Sequence, residues 1–368
     1  MILETHGDTC RLGYLRPLAC LLEDESPKSF DFLASILYDL VRNVEDYELL
    51  PHRPIGLITR SVNARNYVTL AAEMELIDRK TQTLGRFGKI YLTMDSAGKF
   101  REMVEGRAIL SLRDLITLSD AEKFFFLWVI LTTDYPFIQP ILAWAVEKER
   151  FTRQEAMNYI MEEVYPTALK KILSSLPSRR REQIAREVAE AEKFREKRTS
   201  IQNKTDWIKS SQYAKYRHIA PPRLEWLVDV GVLARRGRGK YEVEEPFIRN
   251  IETVLRIVGF TPKRMEEHLF NDLPKLIYRS MKTASMYEVS KTLVEAYERV
   301  RGGEGVSLSL LERVTVLLLM DRGKIADLRM VHDAFNSLAL RFPDKIYVAP
   351  GAGKTINIAY MNLSETEI

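Results

Sequence analysis

The chain has 368 residues, 46% of them hydrophobic and 29% charged, the composition of a globular protein of roughly two to three domains rather than a disordered or fibrous one. Its longest apolar run, Phe124 to Leu131, is far short of the roughly 20 residues that span a bilayer, and Cys10 and Cys20 are too few for a disulfide framework or a four-ligand zinc site. The net charge of +4 is the remainder of 55 basic and 51 acidic side chains, so only its distribution is informative.

Residues 1–28 read as an acidic N-terminal segment. Met1 to His52 carries four Lys/Arg against ten Asp/Glu. Met1 to Asp8 has two acids and no basic stretch, so no secretory signal is read and a cytoplasmic location is expected, with no membrane partner. Arg53 to Arg101 reverses the balance, with nine basic against four acidic residues, and Asn203 to Lys240 has nine against three.

A first module is expected over 29–110. Phe30, Leu33, Leu37 and Leu40/Val41 recur at helical spacing, and Pro51 and Pro54 stop that helix. A short helix fits Arg53 to Ser61. Asn63 then caps a third helix, Ala64 to Leu76, buried through Tyr67, Leu70, Ala71 and Met74. Ile77 to Thr81 and Lys89 to Thr93 read as two strands joined by a turn through Gly85 and Gly88. Three helices and a hairpin is the order of a winged helix. The segment ARNYVTLAAEMELIDRKTQTLGRFGKIYLTMDSAG resembles that family in its third helix, its EMELI exit and its YLT…G ending. The resemblance implies a third helix that enters the major groove and a hairpin that meets phosphate or the minor groove.

A second module is expected over 111–260. Ser119 and Glu122 form a capping box before FFFLWVIL, and helices fit Phe137 to Glu147 and Thr152 to Glu163, the latter opened by Thr152 with Glu155. At 178–198 a charged helix is inserted, alternating acids and bases around a thin stripe of Ile184, Val188, Ala191 and Phe194, with Arg179 to Arg181 as secondary phosphate candidates. A helix from Arg223 to Val230, Gly231 as its cap, and strands at Val232 to Ala234 and Lys240 to Val243 make a second wing.

The third module, 261–368, reads as helices at Lys263 to Phe270, Asp272 to Arg301 with an interruption, Ser309 to Met320, a short one near Ile325, and Arg329 to Arg341. Strands follow at Lys345 to Ala349 and Thr355 to Met361. The loop between them, in APGAGKT, has Val348 where a phosphate-binding loop needs glycine and leads into a strand pattern, so it reads as a hairpin turn. The expected fold class is mainly α with short β-hairpins (α+β), arranged as tandem winged-helix-like modules.

No catalytic constellation emerges. His6, His52, His218, His268 and His332 are scattered. Asp78, Arg79 and Lys80 match only the acid-x-Lys half of a metal-dependent nuclease site, without the second carboxylate that a hard divalent ion needs. The basic stretches carry the functional expectation. Arg60, Asn63, Arg65, Asn66 and Thr69 line the first module's third helix; Arg65 and Asn66 are expected to read bases, because Arg bonds guanine bidentately and Asn adenine. Arg79, Lys80, Arg86 and Lys89 belong to its wing. In the second module Lys209, Lys215, Arg217 and Arg223 lead into the helix, Tyr213 and Tyr216 interleave with them for sugar or base contact, and Arg235, Arg236, Arg238 and Lys240 fill the turn. The third module offers Arg329, His332, Asn336, Arg341 and Lys345, and is expected to be structural or partner-facing.

The three-module order, with SSQYAKYRHIAPPRLEWLVDVGVLARRGRGKYEV leading into the second wing, also resembles the DNA-recognition region of type IIS restriction enzymes such as FokI. No cleavage domain is recognised after the third module, so cutting is not carried over from the resemblance. The expectation is a non-catalytic, sequence-recognising protein that binds double-stranded DNA without cofactor or metal, as a recognition subunit of a restriction/defence or regulatory assembly with a protein partner or catalytic subunit. Two alternatives stand beside it: a protein-interaction scaffold of a nucleic-acid-processing complex, and a metal-dependent nuclease with an unrecognised site.

Overall fold

A computed structural model describes residues 2, 6–44, 56–173, 178–201, 203–302, 305–351 and 356–368. The fold is mainly helical, with short strands in small sheets. In the first unit the Phe30–Arg42 helix is opened by Ser29, whose side chain accepts the Phe32 N–H, and buries Leu33, Leu37 and Val41. It packs against the Ser61–Glu73 helix, which buries Ala64, Tyr67, Val68 and Ala71.

The expected hairpin of this unit is absent. One bridge, Ile77 to Leu84, is all that pairs, and Arg86–Thr93 is a helix. Phe87, Ile90, Tyr91 and Met94 are buried at i, i+3, i+4 and i+7, so the helical period overrides the alternation seen in the sequence. Gly85 and Gly88 let this helix start against the end of the preceding one: a Cβ at Gly88 would stand 2.2 Å from the Leu76 carbonyl oxygen. The short helix expected over Arg53 to Ser61 is not formed from Gly56 to Arg60, where Gly56 is in a turn and Leu57 to Thr59 belong to no helix or strand; residues 53–55 lie outside the described residues.

The Asp120–Thr133 helix, with the Ser119–Glu122 capping box in place, is buried on every side from Phe124 to Leu131, as that all-apolar run requires. Trp128 stands edge-on to Phe87 at 5.0 Å and to Phe270 at 4.9 Å, so this helix ties the first unit to the Pro262–Ile277 helix of the last. Such edge-to-face pairs each contribute about 0.5–1.5 kcal/mol beyond area burial.

The middle unit runs from the Tyr135–Lys148 helix to the strand Arg150–Thr152, then the helical stretch Arg153–Leu173, the inserted helices Ser178–Glu192, Phe194–Ser200 and Lys204–Lys209, the Ser211–Asp229 helix, and the hairpin Leu233–Arg235 with Lys240–Val243. The lone strand joins the far side of the hairpin, Phe151 opposite Tyr241 and Arg235 opposite Tyr241 on the other edge. The inserted Ser178–Glu192 helix is not a free spacer; Ile184, Val188 and Ala191 are buried, and it packs on the Tyr165–Leu173 helix.

The last unit repeats this order: helix Met286–Val300, strand Val306–Ser307, helices Leu308–Asp321 and Leu328–Arg341, then the hairpin Ile346–Pro350 with Asn357–Met361. Here too the lone strand pairs with the final strand, Val306 opposite Ala359 and Val348 opposite Ala359 from the other side. The short helix expected near Ile325 is a two-residue strand, Lys324–Ile325, paired in parallel with Lys282–Thr283. Residues 352–355 of the APGAGKT loop lie outside the described residues.

Candidate nucleic-acid interface

The middle hairpin has the clearest cationic tip. Gly237 and Gly239 adopt φ of +105° and +69°, a left-handed backbone that ordinary side chains resist, and the Arg236 N–H closes the turn on the Lys240 carbonyl at 3.0 Å. Arg236, Arg238 and Lys240 are exposed. Arg236 Nε lies 2.7 Å from Glu242, which Arg150 also contacts at 2.7 Å, and the two guanidinium groups hold the Glu242 carboxyl below its usual range. One carboxylate thus serves two arginines, and Arg238 and Lys240 have no ion pair among the described residues.

Arg235 behaves differently. It turns inward to the fully buried carboxylate of Glu225, which also accepts the Tyr241 hydroxyl at 2.7 Å, so Arg235 fastens the hairpin to the core.

The Ser211–Asp229 helix begins twelve residues before the expected start at Arg223, with Ser210 accepting the Tyr213 N–H at 3.1 Å. Of the basic residues assigned to it and to the turn before it, Lys209 and Arg217 are exposed, and Lys215 is engaged by Glu187 at 3.0 Å and Glu190 at 3.5 Å. Arg223 is not a surface residue. It is 1% exposed, donates to Asp134 at 2.7 Å and to the Ile2 and Ile219 carbonyls at 2.7 Å, and lies 3.8 Å from the centre of the Phe137 ring. Ile219 and Leu227, four residues to either side, are buried on the same stripe, which is why Arg223 points into the core. Tyr213 and Tyr216 also face inward, into a cluster with Phe194 and Trp207.

The acidic N-terminal segment is no free arm. Thr9 to Leu22 are buried, and residues 8–12 run between the first two units. Asp8 accepts from the Asn63 side chain and, at 3.2 Å, from that of Asn66. Arg11 pairs with Asp229, whose other oxygen accepts the Leu12 N–H at 2.8 Å, and Trp226 Nε1 donates to the Thr9 carbonyl at 2.8 Å. Asn63 and Asn66 are therefore occupied by Asp8, and Asn63 is not the helix cap: it lies inside the first turn, its Oδ1 accepting the Arg60 N–H at 2.9 Å. The outer face keeps Arg60, exposed, and Arg65, in an exposed pair with Asp31 at 3.1 Å, while Thr69 donates back to the Arg65 carbonyl.

The remaining first-unit residues are dispersed because the wing is not formed. Arg79 pairs with Glu73 at 2.7 Å. Lys80 is exposed in a turn held by Asp78, whose carboxylate accepts the Lys80 and Thr81 N–H groups at 2.8 and 2.9 Å and is held below its usual range by them. Arg86 and Lys89, on a helix instead of a strand, face Glu266 at 3.4 Å and Glu25 at 3.2 Å across a cleft of about 1060 Å³ between the first and last units. Sequence reasoning passed over Arg150 and Arg153; a three-residue strand between a helix end and a capping box leaves too short a pattern to signal that they reach the hairpin.

In the last unit His332 lies 2.8 Å from Glu312 and Lys345 pairs with Glu367, whereas the hairpin exposes Tyr347, Val348 and Ile356. Among the described residues no helix is long and apolar enough to cross a membrane. No protein-family model, curated protein or solved structure matches the chain.

Proposed function

We propose that the chain is a non-catalytic, sequence-recognising double-stranded DNA-binding protein whose middle and last units are winged-helix-like, with the middle hairpin as its main phosphate contact. The observation that carries this reading is the order that those units share once the three inserted helices of the middle unit are set aside, helix–strand–helix–helix–hairpin with the lone strand added to the final one, combined with a hairpin tip that exposes Arg236, Arg238 and Lys240. The first unit contributes Arg60 and Arg65 from a helix without a wing. A recognition subunit of a restriction/defence or regulatory assembly is the role that fits such a protein.

A salt-titrated binding assay on duplex DNA, single-stranded DNA and RNA tests the reading. Duplex binding is expected to weaken steeply with salt, and Arg236→Ala with Arg238→Ala to reduce the log–log slope by about 1 to 2 units. Absence of duplex binding at low salt, or an unchanged slope in the variant, refutes it. A second reading has its own observation. The last hairpin is apolar where the middle one is cationic, exposing Tyr347, Val348 and Ile356, and that face suits a protein partner; co-purification of a partner without duplex binding would favour the scaffold reading.

A further inference from the structure

Beside the middle hairpin lies a cavity of about 710 Å³ whose lining has an unusual chemistry. Its aromatic wall is Trp207, Tyr213 and Tyr216, with Phe194 packed behind; Tyr213 and Tyr216 are stacked at 6.1 Å and Trp207 stands edge-on to Tyr213 at 5.7 Å. Its cations are Arg153, Arg198 and Arg217, and none of the three has an ion-pair partner among the described residues. Arg198 lies 4.7 Å from the centre of the Trp207 ring. Among the described residues no carboxylate lines the cavity.

Three guanidinium groups gathered without an acid repel one another, and an anion relieves that cost. An aromatic wall beside them selects an anion that also carries a flat π-face. The site adjoins the hairpin directly: the Arg153 N–H donates to the Gly239 carbonyl at 2.7 Å, so one of its three arginines is tethered to the turn that bears Arg238 and Lys240. We propose that this cavity binds a nucleoside phosphate, the base against the Trp207–Tyr213–Tyr216 wall and the phosphate among Arg153, Arg198 and Arg217. Two sources supply that chemistry, an unpaired nucleotide of a DNA strand lying on the hairpin or a free mononucleotide. The first rests on the DNA-binding function proposed above; the second does not. A phosphotyrosine peptide shares the two groups, but the contact with the cationic turn favours the nucleotide.

The full-length protein is tested for binding of a blunt 20-base-pair duplex, the same duplex with a three-nucleotide overhang, and adenosine 5′-monophosphate. Trp207→Leu and Arg198→Ala are compared, with melting curves confirming that each folds. Preference for the overhang over the blunt duplex by about 10-fold, the weight of one stacked base, with loss of that preference in both variants and unchanged blunt-duplex affinity, supports the strand source. Saturable binding of the mononucleotide, lost in Arg198→Ala and without overhang preference, supports the free-nucleotide source. Blunt-duplex binding with neither effect overturns the cavity assignment and leaves the hairpin's role standing. No duplex binding beside intact mononucleotide binding does the reverse. Tighter binding of a phosphotyrosine peptide than of the mononucleotide overturns the nucleotide assignment.

Discussion

Arg223→Ala separates a fold-bearing arginine from a DNA-contacting one. Wild-type Arg223 and Asp134 are 1% and 0% exposed at the side chain, and the guanidinium satisfies Asp134 together with the carbonyls of Ile2 and Ile219. Truncation removes all of these donors. Asp134 is left with the Ile2 N–H at 2.9 Å, the Ile2 and Ile219 carbonyls lose the guanidinium as a donor, and a void opens against Phe137. Breaking a buried ion pair from one side costs about 3–5 kcal/mol. At about 2.1 cal/mol/K per residue, a chain of 368 residues melting as one unit has an unfolding entropy of about 0.8 kcal/mol/K, so Tm falls by about 4–6 °C. Calorimetry gives that shift, and duplex affinity measured well below the melting range should stay within about twofold of wild type. Replacing the pair together, Arg223→Met with Asp134→Leu, should recover most of the loss, because no charge is then left buried alone. A Tm within 1 °C of wild type accompanied by weakened duplex binding would refute this account and return Arg223 to the surface.

Arg235→Ala should lower Tm, since it strips a cation from buried Glu225, whereas the exposed Arg236 and Arg238 should alter salt dependence without altering Tm; equal Tm losses for all three would contradict this division. Gly88→Ala places a methyl 2.2 Å from the Leu76 carbonyl oxygen and should cost about 2 kcal/mol or more by forcing the helix away, while Gly98→Ala, with nothing within 4 Å, should be neutral to mildly stabilising in urea melts. Burial pushes the Asp229 carboxyl from its ordinary 3.8 to about 6 against the pull of Arg11. Because the folded value is raised, this group's contribution to stability is complete below about pH 4 and is lost as pH rises through about 6. Urea midpoints from pH 4 to 7 should therefore fall more for wild type than for Asp229→Asn; parallel curves would exclude the shift.

Helix positions were largely legible in the sequence because they rest on local signals. The Ser119–Glu122 and Thr152–Glu155 boxes each pair a side chain with a backbone N–H three residues away, and both form. The two later hairpins were legible for a similar reason, Gly231 at φ +74° ending a helix just before strands of alternating burial. The first wing failed because Lys89 to Thr93 is only five residues long, and over five residues a helical stripe and a strand alternation differ by one or two positions; the contact of Phe87 with Trp128, forty-one residues on, decides between them. Among the candidate contacts, exposure was the illegible quantity. Arg217 and Arg223 sit on one basic stretch, yet six residues turn the helix by about 600°, and Asp134, the partner that makes a buried arginine affordable, is 89 residues away. Asn66 shows the same long-range effect, since Asp8 engages it from the N-terminal segment.

The buried polar centre at Glu225 gives these long-range partners a common purpose. Its carboxylate takes Arg235 from one strand of the hairpin, the Tyr241 hydroxyl from the other, and Arg11 from the N-terminal segment at 3.7 Å. Arg11 in turn has its backbone N–H on the Tyr67 hydroxyl at 3.0 Å, on the helix that presents Arg60 and Arg65. A hairpin held only by its own ladder twists freely on its base, because two short strands are marginal alone. Fastened through Glu225, it is referred to the first unit's helix by a chain of ion pairs and hydrogen bonds in a water-poor interior, where each is stronger and harder to break than at the surface. Acidic residues that look, in the sequence, like the opposite of a DNA-binding feature are thus what fix the basic hairpin relative to the basic helix.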